Sequence, residues 1–576
     1  MVSRHLARLL LLLAPLGAGS FTLPAHAQWP ADGRAVCTAA NDQLRPVTCA
    51  DGSGGAIIVW VDSRGGPYTF DIYAQRVNKA GTPMWAPGGV PLCTASGNQQ
   101  LPVIASDGAG GAIVAWEDNR AGATAPDIYA QRLNSNGGAQ WTPDGVAVCS
   151  RADEQITPAI AADGSGGAII AWADYRHLSG DSLIDIYGQR VNASGQVQWT
   201  KDGVPVCTAL EDQSDPVAAS DGAGGAIIAW NDNRNFLFNI HAQRVDGTGA
   251  GVWTTDGISL SSSMGDEVIS AIVPDGSGGA VVVWEELGDF DFDIYAQRVN
   301  PNGSLQWGAG AAAVCTASLD QLVPVVAPDG SGGAIFAWED SRDSQNDIYA
   351  QRINGSSGSK SWNPQTGVAV CAALGDQDRP RLISDGSGGA IIAWHDYRSS
   401  TANADVYAQR LSSSGAAQWA SNGNAVCTAG SDQILPSVVT DGAGGGILAW
   451  ADGRSGTSSD VYAQRVTSAG AVAPTVGVSG PTAPGIRLSS PWPNPAREGT
   501  AVGLTLPARQ TVSAAVFDME GRLVRSLSRD QELPAGVHSL RWDGRGERGE
   551  LVSSGVYLLS VRAGVFAGSS KVIVAR

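Results

Sequence analysis

W-A-P-G-G-V-P-L-C-T-A-S-G-N-Q-Q-L-P-V-I-A-S-D-G-A-G-G-A-I-V-A-W-E-D-N-R, Trp85 to Arg120, continues at Asp127 as D-I-Y-A-Q-R-L-N-S-N-G and is one copy of a unit that fills most of the chain. The unit recurs about every 56 residues, a period that marks one supersecondary element stacked many times. Of 18 tryptophans, 16 form eight pairs, one pair per copy, from Trp29 and Trp60 through Trp85 and Trp116 to Trp419 and Trp450. The shared pattern is W-x-x-x-G-V-x-V-C-T-A-x-x-D-Q-x-x-P-x-x-x-x-D-G-x-G-G-A-I-I-A-W-x-D-x-R…D-I-Y-A-Q-R-V-N-x-x-G.

Four short strands are expected per unit. The first is small and apolar, as in Pro102 to Asp107. The second, as in Gly166 to Trp172, is apolar on both faces, the mark of a strand buried between packed sheets. The third, as in Asp71 to Val77, alternates, and the fourth is the Trp-to-Cys stretch, as in Trp141 to Cys149. D-G-[SA]-G-G between the first two tolerates positive φ and predicts a tight hairpin. Four antiparallel strands in each of eight repeats is the pattern of a β-propeller.

Phase decides closure. The chain enters at Trp29–Cys37, a fourth strand, and leaves after Arg465 and Val466, a third strand with no W…G-V-x-V-C behind it. The N-terminal strand therefore completes the last blade and removes the open edges a linear stack would have to cap. A non-closing β-solenoid is the competing arrangement.

At the N-terminus, Arg4, His5 and Arg8 precede the apolar run Leu9 to Leu13, and Ala25-His26-Ala27 supplies a small-x-small cleavage site. Residues 1–27 are expected to be a signal peptide, and no later segment reaches the roughly 18 apolar residues of a membrane span. The formal charge of −18 argues against a nucleic-acid partner, because phosphate binding needs a basic stripe. Seven cysteines, Cys37, Cys93, Cys149, Cys207, Cys315, Cys371 and Cys427, occupy one repeat position, and Cys49 is the eighth. Equivalent positions on neighbouring blades should lie beyond the roughly 7 Å Cα limit for a disulfide. Buried free thiols are expected.

Strand order places the D-Q loop and the loop after W-x-D-x-R on one face of the ring. Candidate ligand-binding residues there are Asp42, Gln43, Asp118, Arg120, Asp174, Arg176, Asp320, Gln321, Asp396 and Arg398. Each has a scaffold reading beside the binding one. Asp and Arg of W-x-D-x-R, with the Arg of A-Q-R, would hold loops within a blade; the Asp of D-Q would form a turn and its Gln would bridge blades. D-G-x-G-G lacks the following G-K-[ST] of a phosphate loop. The mature chain has only His177, His241, His395 and His538, in different units, so neither a catalytic triad nor a histidine metal site is supported. The fifth unit departs from the pattern at Leu260 and Glu285-Glu286-Leu287 and carries Asp289, Asp291 and Asp293 at alternating positions. Alternating carboxylates suit a hard cation, so calcium is the one metal considered and no other cofactor is expected.

The W-x-D-x-R…D-I-Y segment is similar to the blade repeats of periplasmic TolB-type propellers, where a similar S-D-R…D-I-Y turn recurs; this implies fold and no activity. After a Pro-, Gly-, Thr- and Val-rich linker, residues 488–576 read as a small β-sandwich. Its motifs P-W-P-N-P (Pro491 to Pro495), V-F-D-M-E-G-R-L-V-R (Val516 to Arg525), L-P-A-G-V-H-S-L-R-W-D-G-R (Leu533 to Arg545) and S-G-V-Y-L-L-S-V-R-A-G (Ser554 to Gly564) resemble two related things. One is the Ig-like domain of flagellar hook-capping (FlgD) proteins, the other the C-terminal sorting domain of type IX secretion substrates. The resemblance implies a secretion or attachment signal, hence a secreted or outer-surface protein of a diderm bacterium whose partners include the secretion machinery.

The expected fold is all-β: an eight-bladed β-propeller (28–470) closed by its N-terminal strand, a linker (471–487) and a small Ig-like β-sandwich (488–576). The expected function is binding or adhesion, with a polysaccharide or protein at the cell surface as ligand and the chain as a monomer. A propeller glycoside hydrolase or polysaccharide lyase, and a purely structural surface component, are the alternatives.

Overall fold

The computed structural model describes residues 29–574 except 67, 123–124, 177–183, 264, 289, 401, 473–486, 489–490, 492–495, 498, 519–521 and 564–565. The expected signal peptide and most of the expected linker lie outside the described residues. The chain divides into two compact units, one ending at Val472 and one beginning at Ala473.

The first unit is a ring of four-stranded antiparallel sheets whose strands follow chain order from the axis outward. Blade 1 runs Gln43–Ala50, Ala56–Asp62, Asp71–Val77 and Val90–Cys93. The second strand is buried along its whole length, as its two-sided apolar sequence requires. Blade 8 supplies Gln433–Thr440, Gly446–Asp452 and Asp460–Val466, and its outermost strand is Arg34–Cys37, paired Arg34 to Ala463 and Cys37 to Val461. The N-terminal strand closes the ring.

Two strands differ from their expected limits. The innermost begins at the Gln of D-Q, as in Gln99–Ser106, and is broken by a bulge between Gln100 and Val103. The outermost is only Val146–Cys149 in blade 2, and Trp141 lies in the connection before it. Trp141 is not a ladder residue because its indole reaches sideways to the next blade, where Nε1 donates to the Ala193 carbonyl at 3.1 Å.

This clamp recurs at every joint. The outer Trp of each blade donates to a carbonyl in the N-x-x-G loop of the following blade at 2.9–3.2 Å, and Trp29 to Lys79 completes the circle. In seven joints the Arg of A-Q-R donates to that same carbonyl, as Arg76 Nη1 does to Ser135 at 2.9 Å. The Asp of D-G-x-G-G aims the guanidinium: Arg76 pairs with Asp51 at 2.9 Å, while the other Asp51 oxygen accepts the Ser53 and Gly55 amides. The loop glycine must be glycine. Gly137 sits at φ 82°, and a Cβ there would stand 2.7 Å from the Trp85 ring.

The second unit is a sandwich. Its three-stranded sheet comprises Arg487–Leu488, Thr500–Leu506 and Gly536–Trp542; its four-stranded sheet comprises Leu523–Leu533, Gln510–Phe517, Gly555–Ala563 and Phe566–Val574. Val502, Leu504, Val516, Trp542, Leu559 and Val561 form the core.

Closure makes a specific prediction. Trp29→Ala should destabilise the ring as much as Trp141→Ala, each by roughly 3–5 kcal/mol for a buried Trp truncation. Denaturant unfolding of both variants measures this, and a negligible loss for Trp29→Ala would mean an open ring.

Candidate functional site

The D-Q face is organised around a repeated knot. In seven blades the inner Trp donates Nε1 to the Asp two residues on at 2.6–2.8 Å, as Trp116 does to Asp118. The next Arg closes an ion pair on that carboxylate at 2.5–2.6 Å. Its Nη2 also donates to the Cys sulfur of the preceding blade at 3.0–3.5 Å. In six blades the guanidinium lies over the Tyr of D-I-Y at 3.6–3.9 Å.

The structure therefore gives the sequence-selected residues a structural use. The carboxylates of Asp118, Asp174 and Asp396 are fully buried and hold Arg120, Arg176 and Arg398. The expectation for D-Q is reversed. Its Asp bridges blades, Asp42 Oδ1 accepting Ser459 N–H and Asp320 Oδ1 accepting Phe292 N–H. Its Gln closes the local turn: buried Gln43 donates to Asn41 O and Gln321 to Leu319 O. The amide donor on the neighbouring loop lies within reach of the short Asp carboxylate, whereas the longer Gln folds back on its own carbonyls.

All eight cysteines are free and buried. Desolvation holds Cys93, Cys149, Cys207, Cys371 and Cys427 up at about 12.

The fifth blade lacks the knot. Leu260, just after the outer strand of blade 4 (Ile258–Ser259), stands in the Cys position and packs in one cluster with Trp284 of blade 5, whose Glu285-Glu286-Leu287 carries no Arg, so the thiol and its Arg are lost at one joint. The buried Trp284 Nε1 has no partner among the described residues. Glu267 replaces the Gln of D-Q and is fully buried, accepting Ile240 N–H and Ser261 Oγ–H. Burial, with Glu286 adding repulsion, pushes its carboxyl up to about 7 against those hydrogen bonds. Of the three acidic residues considered for calcium, Asp289 lies outside the described residues. Asp293 is raised to about 6 by burial and by Asp291 and Glu286. No group of three His, Cys, Asp or Glu with metal-holding geometry occurs among the described residues.

What breaks the symmetry lies at the axis, at positions the motif treats as variable. The third residue of seven inner strands has φ near 50–56° although none is glycine: Arg45, Leu101, Thr157, Asp215, Val323, Arg379 and Leu435. A proline follows each, and a left-handed residue before proline is a sparsely populated state that the surroundings must hold. At four of the seven, the residue after the inner Trp of the preceding blade supplies the hold. Glu117 accepts Thr157 N–H at 2.8 Å, Glu285 accepts Val323 N–H and Glu339 accepts Arg379 N–H at 2.6 Å, and His395 Nε2 accepts Leu435 N–H. The fifth blade, with Ile269-Ser270, has no proline here and a shorter register shift.

Two cavities follow this ring of residues. One, about 340 Å³, is bounded by Leu101, Thr157, Asp215 and Ile269. The other, about 500 Å³, is bounded by Arg45, Leu101, Arg379, Arg381 and Leu435. The larger cleft of about 660 Å³ in the second unit is lined by Arg525, Arg541 and Asp543, and Arg525 is occupied with the Gly546 carbonyl. Exposed apolar side chains stand in the loops of the D-Q face: Phe290 is 97% exposed, Leu374 83% and Phe236 79%.

Residues 495–564 match the family described as the FlgD Ig-like domain. No curated protein matches the chain. Among solved structures, an ulvan lyase from a new polysaccharide lyase family, bound to -[GlcA(1-4)Rha3S]-, is 11% identical with a TM-score of 0.43, covering 66% of this chain and 96% of its own. PorZ, a surface component of the type-IX secretion system of Porphyromonas gingivalis, is 12% identical with a TM-score of 0.31, covering 94% and 82%. The β-propeller domain of the Trilobed protease from Pyrococcus furiosus is 7% identical with a TM-score of 0.37, covering 63% and 94%.

Two outcomes follow from the knot and its loss. Alkylation of the folded protein should label none of the eight thiols, and labelling after denaturation should reach all eight. Glu267, with its pKa raised in the fold, stabilises fully below the ordinary carboxyl range, and that contribution is lost as pH rises through about 7. Glu267→Gln should raise the melting temperature by a few degrees at pH 8, with the gain shrinking towards pH 5; an equal gain at both pH values would count against a titrating Glu267.

Proposed function

We propose that this chain is an exported binding protein, secreted or held at the outer surface of a diderm bacterium. Its propeller presents the D-Q face to a polysaccharide or protein. The observation that carries this reading is the coincidence, on one face, of exposed Phe236, Phe290 and Leu374 with an axial cavity whose lining differs from blade to blade. The repeated polar groups of that face are engaged in holding blades together, so ligand contact falls to the residues that break the repeat. Exposed aromatic rings are suited to stacking on sugar rings or packing on a protein surface.

In this proposal the second unit serves secretion or attachment. The FlgD Ig-like match over residues 495–564 and the tail motifs support that role. The type IX sorting signal and the TolB-type likeness of the blades belong to the same proposal.

The mature full-length chain on arrays of polysaccharides and surface proteins tests it. Saturable binding is expected, and Phe236→Ser combined with Phe290→Ser should weaken it at least tenfold. Asn136→Ser, on the opposite face, should leave it unchanged. Release of cleaved or unsaturated sugar products would overturn the reading in favour of an enzyme.

A further inference from the structure

Three arginines converge on the axial cavity of about 500 Å³: Arg45 from blade 1, and Arg379 and Arg381 from blade 7. No motif of the repeat asks for them. The position of Arg45 and Arg379 holds Leu101, Thr157, Asp215, Val323 and Leu435 in other blades, and that of Arg381 holds Val, Ala or Ser. They differ in kind from the arginines of W-x-D-x-R and A-Q-R, which are held by buried carboxylates. Among the described residues, none of the three guanidiniums makes an ion pair, and the one hydrogen bond is from Arg381 Nη1 to its neighbour's carbonyl, Pro380 O, at 3.0 Å.

Their charges act on one another and on what surrounds them. Burial, with repulsion from Arg379, holds Arg381 below its ordinary pKa, though a guanidinium remains charged. Burial and the same two arginines push His395 down to about 3, so it stays a neutral acceptor for Leu435 N–H. The nearby acid, Glu339, is a weak counter-charge: burial, with Asp378 adding, moves its carboxyl up to about 7 while its Oε1 holds the Arg379 amide. Arg45 and Arg379 are exposed at the cavity rim and Arg381 is half-buried in its wall beside the like charge of Arg379, so all three guanidiniums keep free donors that an oxyanion can bridge. Guanidinium forks match carboxylate and sulfate oxygens in bidentate geometry.

We propose that the axial cavity binds a carboxylated or sulfated saccharide, its oxyanion held by Arg45, Arg379 and Arg381 and its ring faces packed on Leu101, Leu435 and Pro436. The volume suits one or two sugar residues rather than a folded partner. This rests on the binding reading above and narrows its ligand.

Calorimetry on the mature full-length chain tests it, with digalacturonate and a sulfated disaccharide as probes. Cellobiose, inorganic sulfate and poly-glutamate serve as comparisons. Both anionic disaccharides should bind at least tenfold more tightly than cellobiose and than sulfate. Arg379→Met and, independently, Arg45→Met should each weaken them at least tenfold. Arg381→Met should do the same while leaving the melting temperature equal or higher, since it removes an unpaired charge. Equal binding of cellobiose, a preference for poly-glutamate, or sulfate binding as tight as the sugars would each overturn the proposal. If the arginine variants change nothing but Phe236→Ser with Phe290→Ser abolishes binding, the axial site is wrong and the D-Q face stands. If neither set has any effect, the face itself is wrong.

Discussion

The ring depends on one carbonyl per blade. In the N-x-x-G loop it accepts the outer Trp indole of the preceding blade and, at seven joints, that blade's A-Q-R guanidinium as well. A flat, packed joint between two sheets would otherwise rest on apolar contact alone, which is strong but undirected. The paired donors fix the angle and the register of each joint. They explain why Trp, Arg, the Asp of D-G-x-G-G and the loop glycine recur together: the Asp aims the Arg, and the glycine lets the Trp ring approach its carbonyl. Change one member and the other three lose their reason.

A second tie on the opposite face links Trp, Asp and Arg of one blade to the thiol of the blade before. Its loss at the joint between blades 4 and 5 is coordinated, since without the Arg donor a thiol has no advantage over Leu260. The consequences are a buried Trp284 indole without a partner and a buried Glu267 that favours its neutral form. On this face the joint is held by apolar contact among Leu260, Ile269 and Trp284 and by the Ile240 amide on Glu267, while the Trp253 clamp to Pro301 persists on the other.

Much of the architecture was legible in the residues. The blade count, the strand order, the closing role of Arg34–Cys37 and the free thiols all followed from the phase of the repeat. The candidate site was not. Asp118, Arg120, Asp320 and their equivalents stand out because they recur, and recurrence in a ring marks what every joint needs. Arg45, Arg379 and Arg381 fall at variable positions of the motif. A usable signal existed: basic residues beside the proline of an inner strand, where other blades carry Leu, Thr, Val or Asp. Recognising it required knowing that the third residue of that strand turns to positive φ and borders the axis.

The sequence by itself determined a closed ring of eight sheets and a sandwich after it, because periodicity, glycine placement and strand patterning are local properties that add along a chain. The tertiary structure alone decided which polar groups are consumed and which remain. A carboxylate reads the same in a motif whether it is buried against Arg120 or open to solvent, and residues about 335 positions apart, such as Arg45 and Arg379, meet only after the ring has closed.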